Sequence, residues 1–566
     1  MIEVEKVEPN GLFTNYVFKA IPLAFDESMS YYECLCGLLN YMKNTMIPAL
    51  NNNADAVIEV QNLMNQLQEF VDNYFDNLDV QEEINNKLDE MVTDGTLQSL
   101  IDNYCEPILQ ELTNEVNEAT DNVNRLAENV GTLIDEYRKE YYNRYHIFNL
   151  PNEMSNNWFK NIKIYESQDK KNYQYKIDIE SLKNRGGSTY YVDNTYTGSS
   201  DGSQNAPFKT LQAAFSNTSD GDTIIVKKNI YHRSDLPTTN TQTKNNVNII
   251  CEEGTFFTTS DALTWSTNET YSNVYQATRS GVTNVIDIRN YEKDTFVRFT
   301  KVSALSECAN RIGSYYTDGT TVYINNGSEV NNNNTIVSLS LGYMALNFEA
   351  TSKNMHIYME NAICINSSVP VARAVGNSNY DCEIICNNCK FLFLEQSDAR
   401  DGFSSLGAKT IFINCEASSN GKDGFNYHAN DGKLCYAIEI NCKANSNGLN
   451  RTNPHTYNGS TAHDGCQVIR INCVYNNNNG SNVADVQTDT ISVNINCKSF
   501  DSMSNTDDMY DTDFCTQQSG ATMYLYNCFC KGYSYKNIYA IDGSTIYVSN
   551  CIYDTTDGNG TINYIV

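Results

Sequence analysis

The sequence predicts a mainly β protein: a parallel β-helix preceded by an N-terminal α-helical region and a coiled-coil stalk. Three observations carry this. The endings IFINC (411–415), IEINC (438–442), IRINC (469–473) and VNINC (493–497) recur, and the cysteines of the Asn-Cys pairs fall at 389, 415, 442, 473, 497, 528 and 551, with Asn361-Ala362 as an earlier member. Intervals of 23 to 31 residues with variable loops mark a solenoid. Apolar residues at 109, 112, 116, 119, 123, 126, 130, 133 and 137 alternate by three and four, which is a coiled-coil seam. From Thr189 the period becomes two, as in strands.

Residues 1–100 read as helical. Ser30 and Glu33 form a capping box before YYECLCGLLNYM, and periodic segments follow from Val57 to Tyr74 and over 80–92. The stalk occupies 101–145, and a long amphipathic helix packed on its own domain is the alternative there. Its seam places Val at a and Leu or Ala at d, which favours two strands. A polar connector, 146–187, contains WFKNIKIY and closes at an Arg-Gly-Gly. The β-helix takes 188–566, beginning with Tyr190–Val192, a short helix over 208–215 and the turn and strand DGDTIIV. Within it, 262–345 alternates like hairpins and reads as an inserted antiparallel subdomain.

In the repeat, coils about 4.8 Å apart stack like residues on like. Ile411, Ile413, Cys415 and Ala417 then share one face, and the Asn amides bond up and down a ladder. LYNC (525–528) and VSNC (548–551) move the apolar residues one place, so a register shift is expected there.

The composition excludes several classes. A net charge of −30 disfavours nucleic acid and anionic membrane. No run of about 18 apolar residues exists, so no membrane insertion is expected. The acidic start MIEVEKVEPNG has no apolar core of a signal peptide. The 19 cysteines are odd in number and mostly in strand-like runs, so they read as small buried apolar groups, with no metal or other cofactor expected.

The stretch YYVDNTYTGSSDGSQNAPFKTLQAAF with DGDTIIV resembles the opening turns of right-handed parallel β-helix proteins of the pectate-lyase superfamily, where a short helix caps the core. EFVDNYFDNLDVQEEINNKLDEMVTDGTL resembles the attachment region of tail proteins from short-tailed phages. DGFNYH (423–428), STAHDG (460–465) and NVADV (482–486) are similar to β-helix proteins of such phages. The resemblance implies a tailspike or tail appendage in the virion, made in the host cytoplasm. It implies a homotrimer, held to tail or collar proteins by its N-terminus, that contacts a host surface glycan. The seam argues against three strands. The chain also ends at NYIV, where many such spikes carry a clasping domain; removal by cleavage, or trimerisation of the rungs themselves, would reconcile the two.

Glycan cleavage on such a coil needs carboxylates along a groove, one as acid and one as base or nucleophile. Region 398–489 is the richest. Asp401, Asp423, Asp464 and Asp485 fall one per rung, and adjacent rungs would bring carboxylates within about 5 Å, raising one pKa. Counted from the preceding cysteine they lie at unequal offsets, so a straight ladder does not follow. Asp401, Asp423 and Asp464 each precede Gly, a turn pair that by itself explains them. His428 and His463 are the proton-transfer candidates, with Tyr427, Arg470, Arg400 and Asn426 as substrate-binding candidates. Hydrolase and lyase both remain open, as does a receptor-binding or structural virion protein without catalysis.

Overall fold

The computed structural model describes residues 3–6 and 16–19, positions scattered between 90 and 126, and 145–565 apart from 155, 238–244, 340–343, 367–370, 395–400, 449–456, 504–510 and 533. The chain divides into two units, 1–135 and 136–566. In the first, Glu3–Lys6 pairs antiparallel with Tyr16–Lys19, so strands open a region read as helical. The segment 110–123 is helical. Leu112, Val116 and Val123 of its heptad seam are exposed in the single chain. The capping box at Ser30, the helices expected between 57 and 89, and the seam residues Leu109, Val130, Leu133 and Tyr137 lie outside the described residues.

The second unit is a parallel β-helix. From Leu346 onward the turns contribute strands to three parallel stacks. A nine-stranded parallel sheet runs from Leu346–Glu349 through Phe403–Leu406, Phe425–His428, Ser460–Ala462 and Val483–Val486 to Thr556–Asp557. A second stack contains Lys409–Ile413, Tyr436–Ile440, Gln467–Ile471 and Ile491–Ile495, and a third Glu416–Ser418, Lys443–Asn445 and Val474–Asn476, all parallel.

The corner between the second and third stacks explains the repeat. Asn388, Asn414, Asn441, Asn472, Asn496, Asn527 and Asn550 all have φ between 52° and 53° or at 55°. Asn is among the few side chains that tolerate this left-handed region. Their amides bond rung to rung: Asn441 Nδ2 donates to Asn414 Oδ1 at 3.0 Å, Asn472 to Asn441 at 3.2 Å, Asn496 to Asn472 at 3.1 Å and Asn527 to Asn496 at 2.8 Å.

A left-handed residue also swaps the faces of the strand. Ile411 and Ile413 therefore point outward, while Phe412, Cys415 and Ala417 point into the core. The expectation that all four alternating residues share one face is corrected: period two holds on each side of the asparagine but not across it. The cysteines behave as small core residues. Those among the described residues are all free, and every one but Cys551 is buried.

The register does not shift at the last members. Ile495 pairs with Tyr526, and Tyr526 with Ser549, in unbroken order. What changes is the chemistry of each face: Met523 and Leu525 fill the core, and Tyr524 and Tyr526 take the outer positions.

The outer isoleucines are covered by the connector. Its strands Tyr145–Ile147, Ile162–Ser167 and Tyr173–Ile177 form an antiparallel sheet. Phe148, Met154, Phe159, Ile162, Ile164 and Leu182 pack on Ile411, Ile438, Ile440, Ile469, Ile471 and Val493. Burying each such side chain stabilises by roughly 1.5–3 kcal/mol. Polar bonds tie the cover along its length: Trp158 Nε1 donates to Glu383, Asn441 Nδ2 to Tyr175 Oη, Asn496 Nδ2 to the Tyr173 carbonyl and Asn550 Nδ2 to the Lys170 carbonyl.

The short helix is Leu211–Asn217, capped by Thr210, with Leu211, Ala214 and Phe215 in the core. Between 266 and 339 antiparallel pairs replace the coil, Tyr275–Thr278 with Thr321–Asn325 and Val282–Asn290 with Thr335–Leu339. This insertion packs through Ile286, Ile288 and Ile336 onto Ile363, Ile365 and Leu392.

Candidate functional site

Alternation on the nine-stranded sheet selects which side chains leave the core. Phe425 and Tyr427 point inward, so Asn426 and His428 point outward. The parallel register sets Ser404 beside Asn426 and Asn426 beside Thr461. His463 follows the strand Ser460–Ala462, and its N–H continues the ladder to the Tyr427 carbonyl at 2.9 Å. The rings of His428 and His463 stack with centroids 4.0 Å apart and planes 8° from parallel.

Asp464 sits in the left-handed region with φ 59°, and Gly465 follows at φ 79°. The Asp-Gly pair is thus a turn, and the turn also aims the carboxylate: Asp464 Oδ2 lies 3.0 Å from His428 Nδ1. A carboxylate only accepts, so Nδ1 carries the proton and Nε2 of His428 is left as the acceptor. Both side chains are about one-third exposed, at 32% and 37%.

A second group sits where the strands begin. Lys422 Nζ lies 3.5 Å from Asp423 Oδ2 and 3.8 Å from Asp401 Oδ1. Asp423 Oδ1 accepts the Asn458 N–H at 2.7 Å, and the Ser404 hydroxyl donates to Asp401 Oδ2. Gly424 is not there for a turn. A Cβ would stand 2.5 Å from the Gly459 carbonyl oxygen and 2.6 Å from that of Ala417, so glycine lets the rungs close up.

Burial pushes the Asp423 carboxyl up to about 7; the Lys422 charge opposes this and the Asp401 charge adds to it. The same Asp423 charge raises the Lys422 ammonium. Burial drives His463 down to about 2, assisted by His428 and Lys422, so it is neutral. Four buried atoms on this face have no hydrogen-bond partner: Asp401 Oδ1, Asn426 Oδ1, Thr461 Oγ1 and His463 Nε2. Buried polar atoms are nearly always paired, so four together single this face out from the rest of the sheet.

Five of the expected residues therefore share one face of one sheet with Asn426: Asp401, Asp423, His428, His463 and Asp464. Three others do not. Tyr427, Arg470 and Asp485 point into the core, and their assignment to a groove is corrected. Tyr427 Oη donates to Glu439 Oε1 at 2.9 Å, and Arg470 Nη2 to Asp485 Oδ1 at 3.0 Å. Arg470, Glu439 and Asp485 are fully buried. Strand parity is the reason: Asp485 pairs with the inward Ala462, and Arg470 with the inward Glu439. An Arg held between two carboxylates is what makes such burial tolerable. Arg400 lies outside the described residues.

Sequence reasoning missed Lys422, Thr461 and Glu439. Lys422 had a signal, as the cation adjoining Asp423. Thr461 had one only through register, since it stands one rung from Asn426. Glu439 had none, because its alternation with Ile438 and Ile440 reads as solvent-facing. Among the described residues no group of three or more His, Cys, Asp or Glu side chains is placed to hold a metal.

No family model and no curated protein matches the chain. Among solved structures it is similar to XylC in complex with xylose, at 12% identity over 67% of this chain and 70% of that one, with a TM-score of 0.42. It is also similar to the pectate lyase Pel9A, at 15% over 67% and 81% with a TM-score of 0.31. A third is the Gp54 tailspike of Acinetobacter baumannii bacteriophage AP22 in complex with a capsular saccharide, at 11% over 62% and 65% with a TM-score of 0.20. At these values nothing of those proteins' chemistry transfers, and the functional case rests on the residues above.

Proposed function

We propose that this protein is a phage tail appendage of the pectate-lyase-like, right-handed β-helix kind. Its outer nine-stranded sheet holds a host surface polysaccharide and cleaves it. One observation carries the reading: a His–Asp pair with a free acceptor nitrogen stands on the same face as four buried, unpartnered polar atoms. His428 Nε2 takes a proton, Asp464 orients it, and the Asp401–Lys422–Asp423 group holds a carboxylic proton near neutrality. The N-terminal resemblance supports attachment to tail or collar proteins in the virion. The exposed seam at Leu112, Val116 and Val123 supports self-association, with three copies implied by the resemblance.

A receptor-binding spike without catalysis is the second reading. It is favoured by Asp423, whose carboxyl is only 1% exposed and engaged by Asn458 and Lys422. The test is incubation of the purified protein with capsule or wall glycan, following new reducing ends. Cleavage that disappears in His428→Ala and Asp464→Ala, with binding and melting temperature retained, establishes the enzyme. Tight binding with no new ends leaves the spike.

A further inference from the structure

We propose that the site takes an uncharged, hydroxyl- or amide-presenting sugar and cuts it by hydrolysis, not by elimination next to a uronate. This rests on the glycan-cleaving reading and narrows it. The open valences on this face select the ligand. With the shared proton on Asp423, Asp401 Oδ1 only accepts hydrogen bonds, as does Asn426 Oδ1, and the Thr461 hydroxyl does either. Neutral His463 leaves one ring nitrogen open, Nε2, which donates or accepts according to the tautomer. The ligand must therefore bring mainly O–H or N–H groups. Sugar hydroxyls and N-acyl amides do so; carboxylate, sulfate and phosphate bring only acceptors, which would face acceptors across a buried surface.

The cations near the sheet are already engaged. Elimination needs the uronate carboxylate neutralised so that the neighbouring carbon can lose its proton. Lys422 is already shared by Asp401 and Asp423. Arg373, whose strand adjoins that of Ser404, donates to Asn347 at 2.9 Å and lies 3.7 Å from Glu349. Arg470 is inside the coil with Asp485 and Glu439. Arg298, from the insertion, lies 5.3 Å over the Phe393 ring and donates to the Ser419 carbonyl. Among the described residues, Lys422, Arg470 and Arg298 are thus turned to partners within the protein, and Arg373, the one on the outer face, is held by Asn347 beside the Glu349 carboxylate; the chain as a whole carries −30.

Hydrolysis uses what is present. The oxygen of water bonds to the anomeric carbon as the glycosidic C–O bond breaks. His428 Nε2 takes the proton that the water loses, and the leaving oxygen takes one from the Asp401–Asp423 carboxyl pair. Both new ends are hydroxyls, and the proton on His428 returns to the pair through solvent. One water is consumed and nothing is oxidised.

The test uses the full-length protein and calorimetric titration with two sets of oligosaccharides: neutral ones (chitin, dextran and galactan fragments) and uronate ones (polygalacturonate, alginate and hyaluronan fragments). The variants are Thr461→Val and Asn426→Leu. The Thr461 hydroxyl bonds nothing in the protein, so Thr461→Val should melt like the parent. Binding confined to the neutral set, and weakened about tenfold by Thr461→Val, is the expected result. Digestion in heavy-oxygen water should then label the reducing ends. Preferential binding of uronates, or products carrying an unsaturated uronate, overturns this inference while leaving the glycan reading intact. Failure of every fragment in both sets to bind counts against the glycan reading and removes this inference with it.

Discussion

Replacing Asn441 by Ala and by Gly separates the two tasks of the corner asparagine. Asn441 has φ 53°, donates to Asn414 at 3.0 Å and to Tyr175 Oη at 2.9 Å, and accepts from Asn472 at 3.2 Å. Both variants lose these three bonds. At about 1 kcal/mol each, discounted by roughly half for partial exposure, that costs about 1.5 kcal/mol. Ala must also occupy the left-handed region, at about 1–2 kcal/mol. Gly enters it freely but gains freedom in the unfolded chain, costing about 0.5–1 kcal/mol. Asn441→Ala should thus lose about 3 kcal/mol and Asn441→Gly about 2 kcal/mol. Urea unfolding of both, compared at equal slope, measures the difference. If Ala proves as stable as Gly, the left-handed corner is not what selects asparagine, and the account of the INC repeat fails.

Other outcomes follow from the same geometry. Asp423 is held up at about 7, above its ordinary 3.8, so its protonated form is the one the fold favours. Its contribution is fully present below about pH 4 and is lost as pH rises through 7. Thermal melts from pH 4 to 8 should fall in the parent and fall less in Asp423→Asn, with about 4 kcal/mol as the upper bound for the difference. Arg470→Met leaves the buried Glu439 and Asp485 without their cation, so it should cost about 3–5 kcal/mol in urea unfolding while glycan affinity of the folded fraction stays unchanged. Ile440→Ala opens a gap under the connector and should cost about 2–5 kcal/mol, with faster proteolysis within 145–183.

How much was legible in the sequence varies with the physics involved. The coil was legible because Asn-Cys recurs at rung spacing, and the amide ladder because like residues stack on like. The direction of Ile411 and Ile413 was not, since alternation cannot reveal that one left-handed residue turns the chain over. For the same reason Tyr526 looked like a slip in register, when it keeps the place that Ile495 holds one rung earlier. At the site, Asp401, Asp423, His428, His463 and Asp464 were legible as a concentration of proton-carrying groups. Arg470 and Asp485 belonged to the same concentration, yet strand parity sends them to the other side of the sheet. Charge alone does not predict that an Arg is tolerated inside, because tolerance depends on Glu439 and Asp485 meeting it there. The connector was unreadable as a cover because its partners lie more than 200 residues further along, as with Trp158 and Glu383.

That cover changes what kind of object the coil is. A bare stack of rungs behaves like a row of dominoes: each unit feels only its neighbours, and the ends fray first. Here one continuous stretch of chain is fastened at Glu383, again at Asn441 and Asn496, and finally at Asn550. Seven successive turns are thereby clasped by a single brace, like staves by a hoop. A terminal rung cannot peel away without loosening the brace over those before it. The stack should then come apart as one body, and the nine-stranded sheet keeps its shape until it does.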